Sequence, residues 1–145
     1  MKKMHVYSHT HWDYEWYFTA SESIIQLIYH MDEVISALES GTLKTYLLDS
    51  QVSILEEYLN MMPEKEPVVR KLVEEGKLMI GPWYTQSDEL IISGESLARN
   101  LWYGISYARE LGNCMMIGYL PDSFGQSKDM PKLYNGFDIR EALFW

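Results

Sequence analysis

Residues 45–59 read TYLLDSQVSILEEYL, and this stretch indicates the fold class. A short apolar run from Thr45 to Leu48 is followed by polar residues, and apolar residues then recur at helical spacing from Val52 to Leu59. The run predicts a buried strand, and the spacing predicts a helix after a short loop. Strand, loop and helix in this order are typical of a βαβ unit in a parallel sheet.

The same alternation extends in both directions along the chain. It predicts about four to five strands with helices between them, which is an α/β fold with a parallel sheet. The predicted strands are Lys3–Ser8, Thr45–Leu48, Leu78–Gly81, Met115–Leu120 and the apolar stretch Ala142–Trp145. The predicted helices are Ile24–Leu38, Val52–Leu59, Val68–Glu75, Glu95–Arg109 and Met130–Tyr134. Thr19 and Glu22 are expected to form a capping box, Gly41 to end the first helix, and Pro63 and Pro67 to separate the second helix from the third.

Composition sets limits on the function. The 145 residues are 47% hydrophobic and 14% aromatic, which is enough for an ordinary globular core. Twelve Lys and Arg against 21 Asp and Glu give a net charge of −9. This balance argues against a polyanion such as nucleic acid as the main partner, and it suits a neutral substrate or a cation.

The termini and the cysteine content bear on location and completeness. The N-terminus has lysines but no apolar run of signal-peptide length, and no stretch has the length of a membrane span, so a soluble cytoplasmic protein is expected. Cys114 is the only cysteine, which excludes a disulfide framework and predicts a buried structural thiol. Because Leu-Phe-Trp at 143–145 lies inside a predicted strand, we expect residues 1–145 to be one part of a longer catalytic domain, with a partial site.

Polar residues follow four of the predicted strands. The carboxyl ends of parallel strands meet at one face, which is where ligands bind in such folds. The residues at these ends are His9, His11 and Asp13, then Asp49 and Gln51, then Trp83, Tyr84 and Asp88, and finally Asp122. Trp83 and Tyr84 fit either a sugar-binding surface or the core.

Two of these loops carry metal-ligand chemistry. In an extended backbone His11 and Asp13 project to the same side, and nitrogen and oxygen donors suit zinc. Asp122 lies between an apolar strand and a turn, where it fits a nucleophile, a ligand or an Asx turn. A zinc site needs at least three protein ligands, and the two loops supply His11, Asp13 and Asp122. His9 is a further candidate, as a ligand or as a partner that orients one. Taken separately, each motif also fits ordinary polar residues at strand ends.

Three motifs, in this order, resemble a known family. They are SHTHWDYEWY at 8–17, GPWYTQ at 81–86 and YLPDSFGQ at 119–126. Together they are similar to the opening of glycoside hydrolase family 38, the class II α-mannosidases. GPWYTQ and LYNGF at 133–137 are most similar to the bacterial branch that includes 2-O-(6-phospho-mannosyl)-glycerate hydrolases.

The resemblance implies a fold, a metal and roles for four residues. The fold is the N-terminal part of a parallel-stranded (β/α) barrel-like catalytic domain. The implied ligands of one zinc ion are His11, Asp13 and Asp122, of which Asp122 is also the nucleophile, and Trp16 lines the sugar site. A fourth ligand and the general acid/base are implied beyond Trp145. Tyr14 stands where many relatives have Arg, which affects the rim and no ligand position.

The implied activity is zinc-dependent retaining hydrolysis of α-mannosides, including mannosyl-glycerate or 6-phospho-mannosyl-glycerate. Retention requires a nucleophilic carboxylate and a second carboxyl group about 5 Å away, so the isolated chain is expected to be inactive. Arg140 is the one local candidate for a phosphate contact, and a homo-oligomer of the full-length protein stays open. Two alternatives remain from the residues themselves. One is a zinc-dependent deacetylase or amidohydrolase that activates water, and the other is a carbohydrate-binding module without catalysis.

Overall fold

The computed structural model describes residues 2–144, which form a mixed α/β structure. Within this range the strands are β1 (Ser8–Thr10), β2 (Tyr46–Leu48), β3 (Leu78–Met79), β4 (Ile117–Leu120) and β5 (Glu141–Phe144). The helices are α1 (Ala20–Glu39), α2 (Ser53–Met61), α3 (Glu66–Glu74), α4 (Gly94–Glu110) and α5 (Met130–Gly136), with a 3₁₀ turn at Pro63–Lys65. The α/β class is therefore confirmed.

The strands pair in parallel in two small sheets. One sheet has the order β1-β2-β3, and the other pairs β4 with β5. Thr10 lies opposite Leu48, and Tyr46 lies opposite Leu78. The parallel arrangement agrees with the prediction. Sheets of three and two strands do not close on themselves, so the barrel-like arrangement stays a prediction.

The first strand lies later in the chain than predicted. Lys3–Ser8 was the expected range, but the strand is Ser8–Thr10 and the two ranges share only Ser8. Val6 is 85% exposed, so the apolar residues before β1 have no packing that would hold them in a sheet. Pairing begins only at Ser8, opposite Tyr46, where β2 is buried along its whole length. Burial and pairing, rather than local apolar content, decide where a short strand forms.

Other element ends differ by one to a few residues. β3 ends at Met79, before the predicted Gly81, because Gly81 has a φ of +77°, which turns the chain out of the sheet. β4 begins at Ile117, two residues after the predicted Met115. β5 includes Glu141, and Trp145 lies outside the described residues.

Helix α1 begins as the sequence predicts. The Thr19 side chain accepts a hydrogen bond from the Glu22 amide, and the Glu22 carboxylate accepts one from the Thr19 amide. The buried side of α1 includes Leu27, Met31 and Leu38. By contrast, Pro67 was expected to lie between the second helix and the third. It lies instead in the first turn of α3, where a missing N–H costs no helical hydrogen bond.

The core lies between the sheets and the helices. Trp83 is fully buried, and its ring makes an edge contact with Tyr134. Cys114 is free and buried, as predicted, and burial raises the pKa of its thiol to about 11. No helix within residues 2–144 is both long and apolar enough to cross a membrane.

Helix α4 packs with its backbone against the segment that follows β3. A Cβ atom on Gly104 would lie 2.2 Å from the Pro82 carbonyl oxygen and 2.4 Å from the Tyr84 amide nitrogen. One turn earlier in the helix, the Asn100 side chain accepts hydrogen bonds from the amides of Tyr84 and Thr85. The helix therefore fixes the start of the loop that leads from β3 to the functional site.

Candidate functional site

The site begins at the paired ends of β1 and β2. Because Thr10 pairs with Leu48, the next residues, His11 and Asp49, leave the sheet side by side. His11 Nδ1 lies 3.2 Å from Asp49 Oδ1. An imidazole whose Nδ1–H donates to a carboxylate is held in the tautomer with a free lone pair on Nε2.

Asp49 is fully buried, and several donors point at its carboxylate. Oδ2 accepts from the Trp12 amide and from Gln51 Nε2, both at 2.7 Å. Oδ1 accepts from Gln86 Nε2 at 2.8 Å in addition to His11. Burial raises the pKa of Asp49, while the bonds from Trp12, Gln51 and His11 oppose that rise. The carboxylate is thus held in one orientation by residues from three loops.

The other nitrogen of the His11 ring faces two more carboxylates. Nε2 lies 3.6 Å from Asp13 Oδ1 and 3.8 Å from Asp122 Oδ2. This nitrogen is buried and makes no hydrogen bond within the described part of the chain. A buried polar atom without a partner costs stability unless something outside the protein satisfies it.

Asp122 lies in the turn after β4. Its φ of +53° is in the left-handed region, which Asp and Asn tolerate better than most residues. The side chain is 61% exposed, and that of Asp13 is 50% exposed, so both carboxylates open toward solvent. Buried Ser50 donates to the Tyr119 carbonyl at 2.7 Å, and this bond ties β4 to the end of β2.

A cavity of about 210 Å³ opens above these groups. Trp16 and Phe124 line it and are 67% and 77% exposed. The lining residues are His11, Asp13, Trp16, Gln86, Ser87, Asp88, Leu120, Pro121, Asp122, Ser123 and Phe124. Among the described residues this lining contains three Asp and neither Lys nor Arg, and such an excess of negative charge attracts cations.

The structure brings together all four residues to which the sequence gave a role: His11, Asp13, Trp16 and Asp122 border this cavity. His9 does not line this cavity. Its ring is exposed, and its Nδ1 lies 3.4 Å from the Tyr119 hydroxyl. Trp83 belongs to the core, and the Tyr84 hydroxyl donates to Glu56.

Two contributions were missed by sequence reasoning. Asp49 was recognised as a polar residue at a strand end, but its bond to His11 depends on the β1–β2 register. Gln86 donates to Asp49 from a loop 37 residues away in sequence, and no local sequence pattern predicts such a contact. The sequence signal that could have found Asp49 is an acidic residue directly after a continuous apolar run, Tyr46–Leu48.

The donor set fits a zinc ion. Two ligand atoms that lie each about 2.1 Å from a tetrahedral zinc are about 3.4 Å apart. The separations of His11 Nε2 from the two carboxylates, 3.6 and 3.8 Å, are close to that value. Residues 2–144 contain no group of three His, Cys, Asp or Glu side chains that already meets the geometry of a metal site, so small side-chain movements would be needed.

Comparison with known proteins then gives the family. The sequence profile described as "Glycosyl hydrolases family 38 N-terminal domain" matches residues 1–145. The chain belongs to glycoside hydrolase family 38. The expected resemblance is thereby confirmed, and relatives in this family are glycoside hydrolases.

Individual relatives agree with this assignment. The chain is 40% identical over 145 residues to a predicted mannosylglycerate hydrolase of Halalkalibacterium halodurans, with 99% of this chain and 16% of that protein covered. It is 23% identical over 142 residues to alpha-mannosidase 2C1 of Mus musculus, with 97% of this chain and 14% of that protein covered. This chain thus spans about a sixth to a seventh of the length of these two relatives.

A solved structure of the family shows the same fold. An alpha-mannosidase from Enterococcus faecalis V583 superposes with a TM-score of 0.92 at 37% identity, covering 95% of this chain and 16% of that chain. The parallel α/β arrangement described above is therefore similar to part of a family 38 α-mannosidase.

Proposed function

We propose that this chain supplies the nucleophile and three zinc ligands of a retaining α-mannosidase. The observation that carries the proposal is Nε2 of His11, which is buried, makes no hydrogen bond within residues 2–144, and faces Asp13 and Asp122 at the mouth of one cavity. Membership of family 38 supports the same reading. On this proposal, residues 1–145 form the N-terminal part of the catalytic domain of a cytoplasmic enzyme.

His11, Asp13 and Asp122 would hold the zinc ion. When bound, zinc supplies a Lewis acid and a template for sugar hydroxyl groups. Asp49 accepts the Nδ1–H of His11 and so directs the lone pair of Nε2 toward the cavity. Gln51 and Gln86 donate to Asp49 and keep its carboxylate from rotating.

Asp122 attacks the anomeric carbon in this proposal. Its exposed carboxylate lies in the cavity, where a sugar ring has access to it. Attack forms a covalent glycosyl-enzyme, and a second carboxyl group about 5–5.5 Å away protonates the leaving oxygen. On this proposal that second group and the fourth zinc ligand belong to parts of a family 38 protein that this chain does not span. Trp16 and Phe124 supply exposed aromatic faces on which the apolar side of a sugar can pack.

The proposed substrate is an α-mannoside, with mannosylglycerate as the specific candidate because of the H. halodurans relative. The cavity lining favours a neutral sugar, since it contains no Lys or Arg among the described residues. Arg140 was the one local candidate for a phosphate contact, but it lines a different cavity, with Lys128 and Glu141. A 6-phosphate on the mannose would therefore need cationic residues outside this lining.

The nucleophile is tested by Asp122→Asn in the full-length enzyme. Asn tolerates the left-handed backbone at this position, so the fold is expected to survive while the nucleophile is lost. We expect kcat/KM for an activated aryl α-mannoside to fall by far more than tenfold, which corresponds to well over about 1.4 kcal/mol. Asp129→Asn is the matched control, because Asp129 makes no side-chain capping bond at the start of α5. Retention of more than about a tenth of wild-type kcat/KM would exclude Asp122 as the nucleophile.

The zinc ligands are tested by Asp13→Ala in the same enzyme. Removal of one of three carboxylate or imidazole donors should lower the zinc content measured after dialysis against a mild chelator. Stoichiometric zinc at wild-type affinity in this variant would contradict the assignment. Labelling of Asp122 by a fluorinated mannosyl fluoride, located by peptide mass mapping, reports the covalent step independently of the metal analysis.

A further inference from the structure

The loop that carries Asp122, residues 121–129, adopts unusual backbone conformations. Asp122 has a φ of +53° and Gly125 a φ of +129°. Within the loop, Ser123 Oγ donates to the Gly125 carbonyl at 3.3 Å, and the Asp129 amide donates to Ser127 Oγ at 3.2 Å. These short-range bonds do not reach Asp122, so contacts from elsewhere must select one loop conformation.

Three consecutive residues of another loop make such contacts. Asp88 Oδ1 accepts a hydrogen bond from the Phe124 amide at 3.0 Å. Glu89 Oε2 accepts one from the Ser127 amide at 2.5 Å. The Leu90 side chain packs on Gly125 so closely that a Cβ there would lie 2.6 Å from Leu90 Cδ1. The segment 88–90, which we term the acidic clamp, thus holds the Asp122 loop at three points.

The acidic clamp is anchored on the other side of the site. Asn100 in α4 donates to the Thr85 carbonyl and to Ser87 Oγ, at 2.7 and 2.8 Å. Gln86 donates to the Asp49 carbonyl at 2.7 Å. Residues 85–90 therefore connect the end of β2, where Asp49 holds His11, to the loop after β4.

The position of this bridge matters because the site is assembled from two sheets. His11 and Asp49 follow strands of the first sheet, and Asp122 follows a strand of the second. The gap of 3.8 Å between His11 Nε2 and Asp122 Oδ2 therefore depends on contacts that cross from one sheet to the other. The acidic clamp makes two of these contacts, through carboxylate oxygens that accept hydrogen bonds from backbone amides.

We propose that Asp88 and Glu89 are positioning residues that hold the Asp122 loop at its distance from His11. This inference rests on the proposed role of Asp122. Both side chains act through backbone amides of the loop, at Phe124 and Ser127, and neither needs to contact the reacting atoms.

Glu89 offers a way to separate hydrogen bonding from charge. It is 5% exposed, and its Oε1 is buried without a partner within the described residues. Burial raises the pKa of Glu89, and the hydrogen bond from the Ser127 amide partly offsets that rise. Gln at this position keeps a carbonyl oxygen for the Ser127 amide, whereas Ala removes the acceptor. At position 88, Asn likewise keeps a carbonyl oxygen that can accept from the Phe124 amide.

The experiment compares Asp88→Ala with Asp88→Asn, and Glu89→Ala with Glu89→Gln, in the full-length enzyme. Glu57→Ala, at an exposed position of α2, is the control for the loss of one negative charge. We expect each Ala variant to lose roughly tenfold to hundredfold in kcat for an aryl α-mannoside with a smaller change in KM, because the nucleophile is misplaced. Hydrogen exchange followed by mass spectrometry should be faster in peptides that cover 121–129. The Asn and Gln variants should stay within about threefold of wild type.

Several outcomes would overturn the proposal. Wild-type exchange in 121–129 together with nearly unchanged kcat in both Ala variants shows that the clamp does not hold the loop. Asn and Gln variants as impaired as the Ala variants show that the acceptor geometry is not what matters. If one of the two Ala variants does not fold, the other Ala variant decides by the same criterion.

A failure of the proposed function would give a different pattern of results from a failure of the positioning inference. If the Asp122→Asn enzyme is active, Asp122 is not the nucleophile, whatever the activity of the variants at positions 88 and 89. An inactive Asp122→Asn enzyme with Ala variants that exchange and turn over like wild type overturns the positioning inference alone.

Discussion

The orientation of His11 depends on a single buried carboxylate. Asp49 accepts from His11, Trp12, Gln51 and Gln86, so donors occupy both of its oxygens. Neither Ala nor Asn can replace it, because Ala removes every acceptor and Asn turns one of the two oxygens into an N–H group that faces donors. The imidazole would then lose the bond that fixes its tautomer.

We predict that Asp49→Ala weakens zinc binding by about 10–100-fold in the full-length enzyme, although Asp49 is not itself a proposed ligand. Competition against a chelator of known affinity measures the change. Asp129→Ala, at the start of α5, controls for the loss of one negative charge. Equal zinc affinity in Asp49→Ala and wild type would show that His11 does not depend on this partner.

At the scale of single residues, the sequence predicted the site through strand ends. His11, Asp13 and Asp122 were expected together because parallel strands direct their carboxyl ends to one face. Gln86 was not foreseen, because its bond to Asp49 arises from the path of a loop between β3 and α4. Long-range contacts of this kind depend on tertiary structure and leave no periodic pattern.

At the scale of elements, helix α4 determines where the loop after β3 runs. Gly104 is buried and brings the helix against the backbone of residues 82–84. The closest atoms to a Cβ at this position are backbone atoms, which cannot rotate away as a side chain can. A larger residue would therefore displace the helix or the loop.

We predict that Gly104→Ala destabilises the protein by about 1–3 kcal/mol or more through overpacking, and that it lowers activity because the loop carries Gln86 and Asp88. Gly94→Ala is the matched control in the same helix, since nothing lies within 4 Å of a Cβ there. Thermal unfolding and kcat/KM of the two variants give the comparison. A Gly104→Ala enzyme as stable and active as Gly94→Ala would contradict the packing described here.

The elements also show what sequence patterns can predict. The capping box of Thr19 and Glu22 was correct because all its partners lie within one turn of helix. The first strand was misplaced because its position depends on a partner strand almost 40 residues away. Local rules succeed where the stabilising contacts are local, and they fail where pairing decides.

At the scale of the whole molecule, the strands share an apolar groove of about 200 Å³. It is lined by Tyr7, Leu47, Met79, Met115, Ile117, Tyr119 and Leu143. β5 is exposed along all four residues, and Phe144 is 53% exposed. Apolar strand surfaces of this kind promote association unless other parts of a protein cover them.

We predict that residues 1–145, produced alone, show no turnover of an aryl α-mannoside, bind zinc weakly and self-associate. Three proposed zinc ligands leave a tetrahedral site short of a fourth, and retaining hydrolysis needs a second carboxyl group. Calorimetric zinc titration, light scattering and an activity assay test the three parts. Leu143→Lys should reduce the association if the apolar groove drives it. Tight stoichiometric zinc with measurable turnover would show that the chain is an enzyme by itself.

The parallel register of β1 and β2 has a consequence for how this family can vary in length. Since Thr10 lies opposite Leu48, one inserted or deleted residue between Ser8 and His11 would carry the imidazole past Asp49. The turn at Gly41–Lys44, which connects α1 to β2, is exposed at most positions and leaves open space around Gly41. Insertions among relatives should therefore collect in that turn, while the spacing from Ser8 to Asp13 and from Tyr46 to Gln51 stays constant.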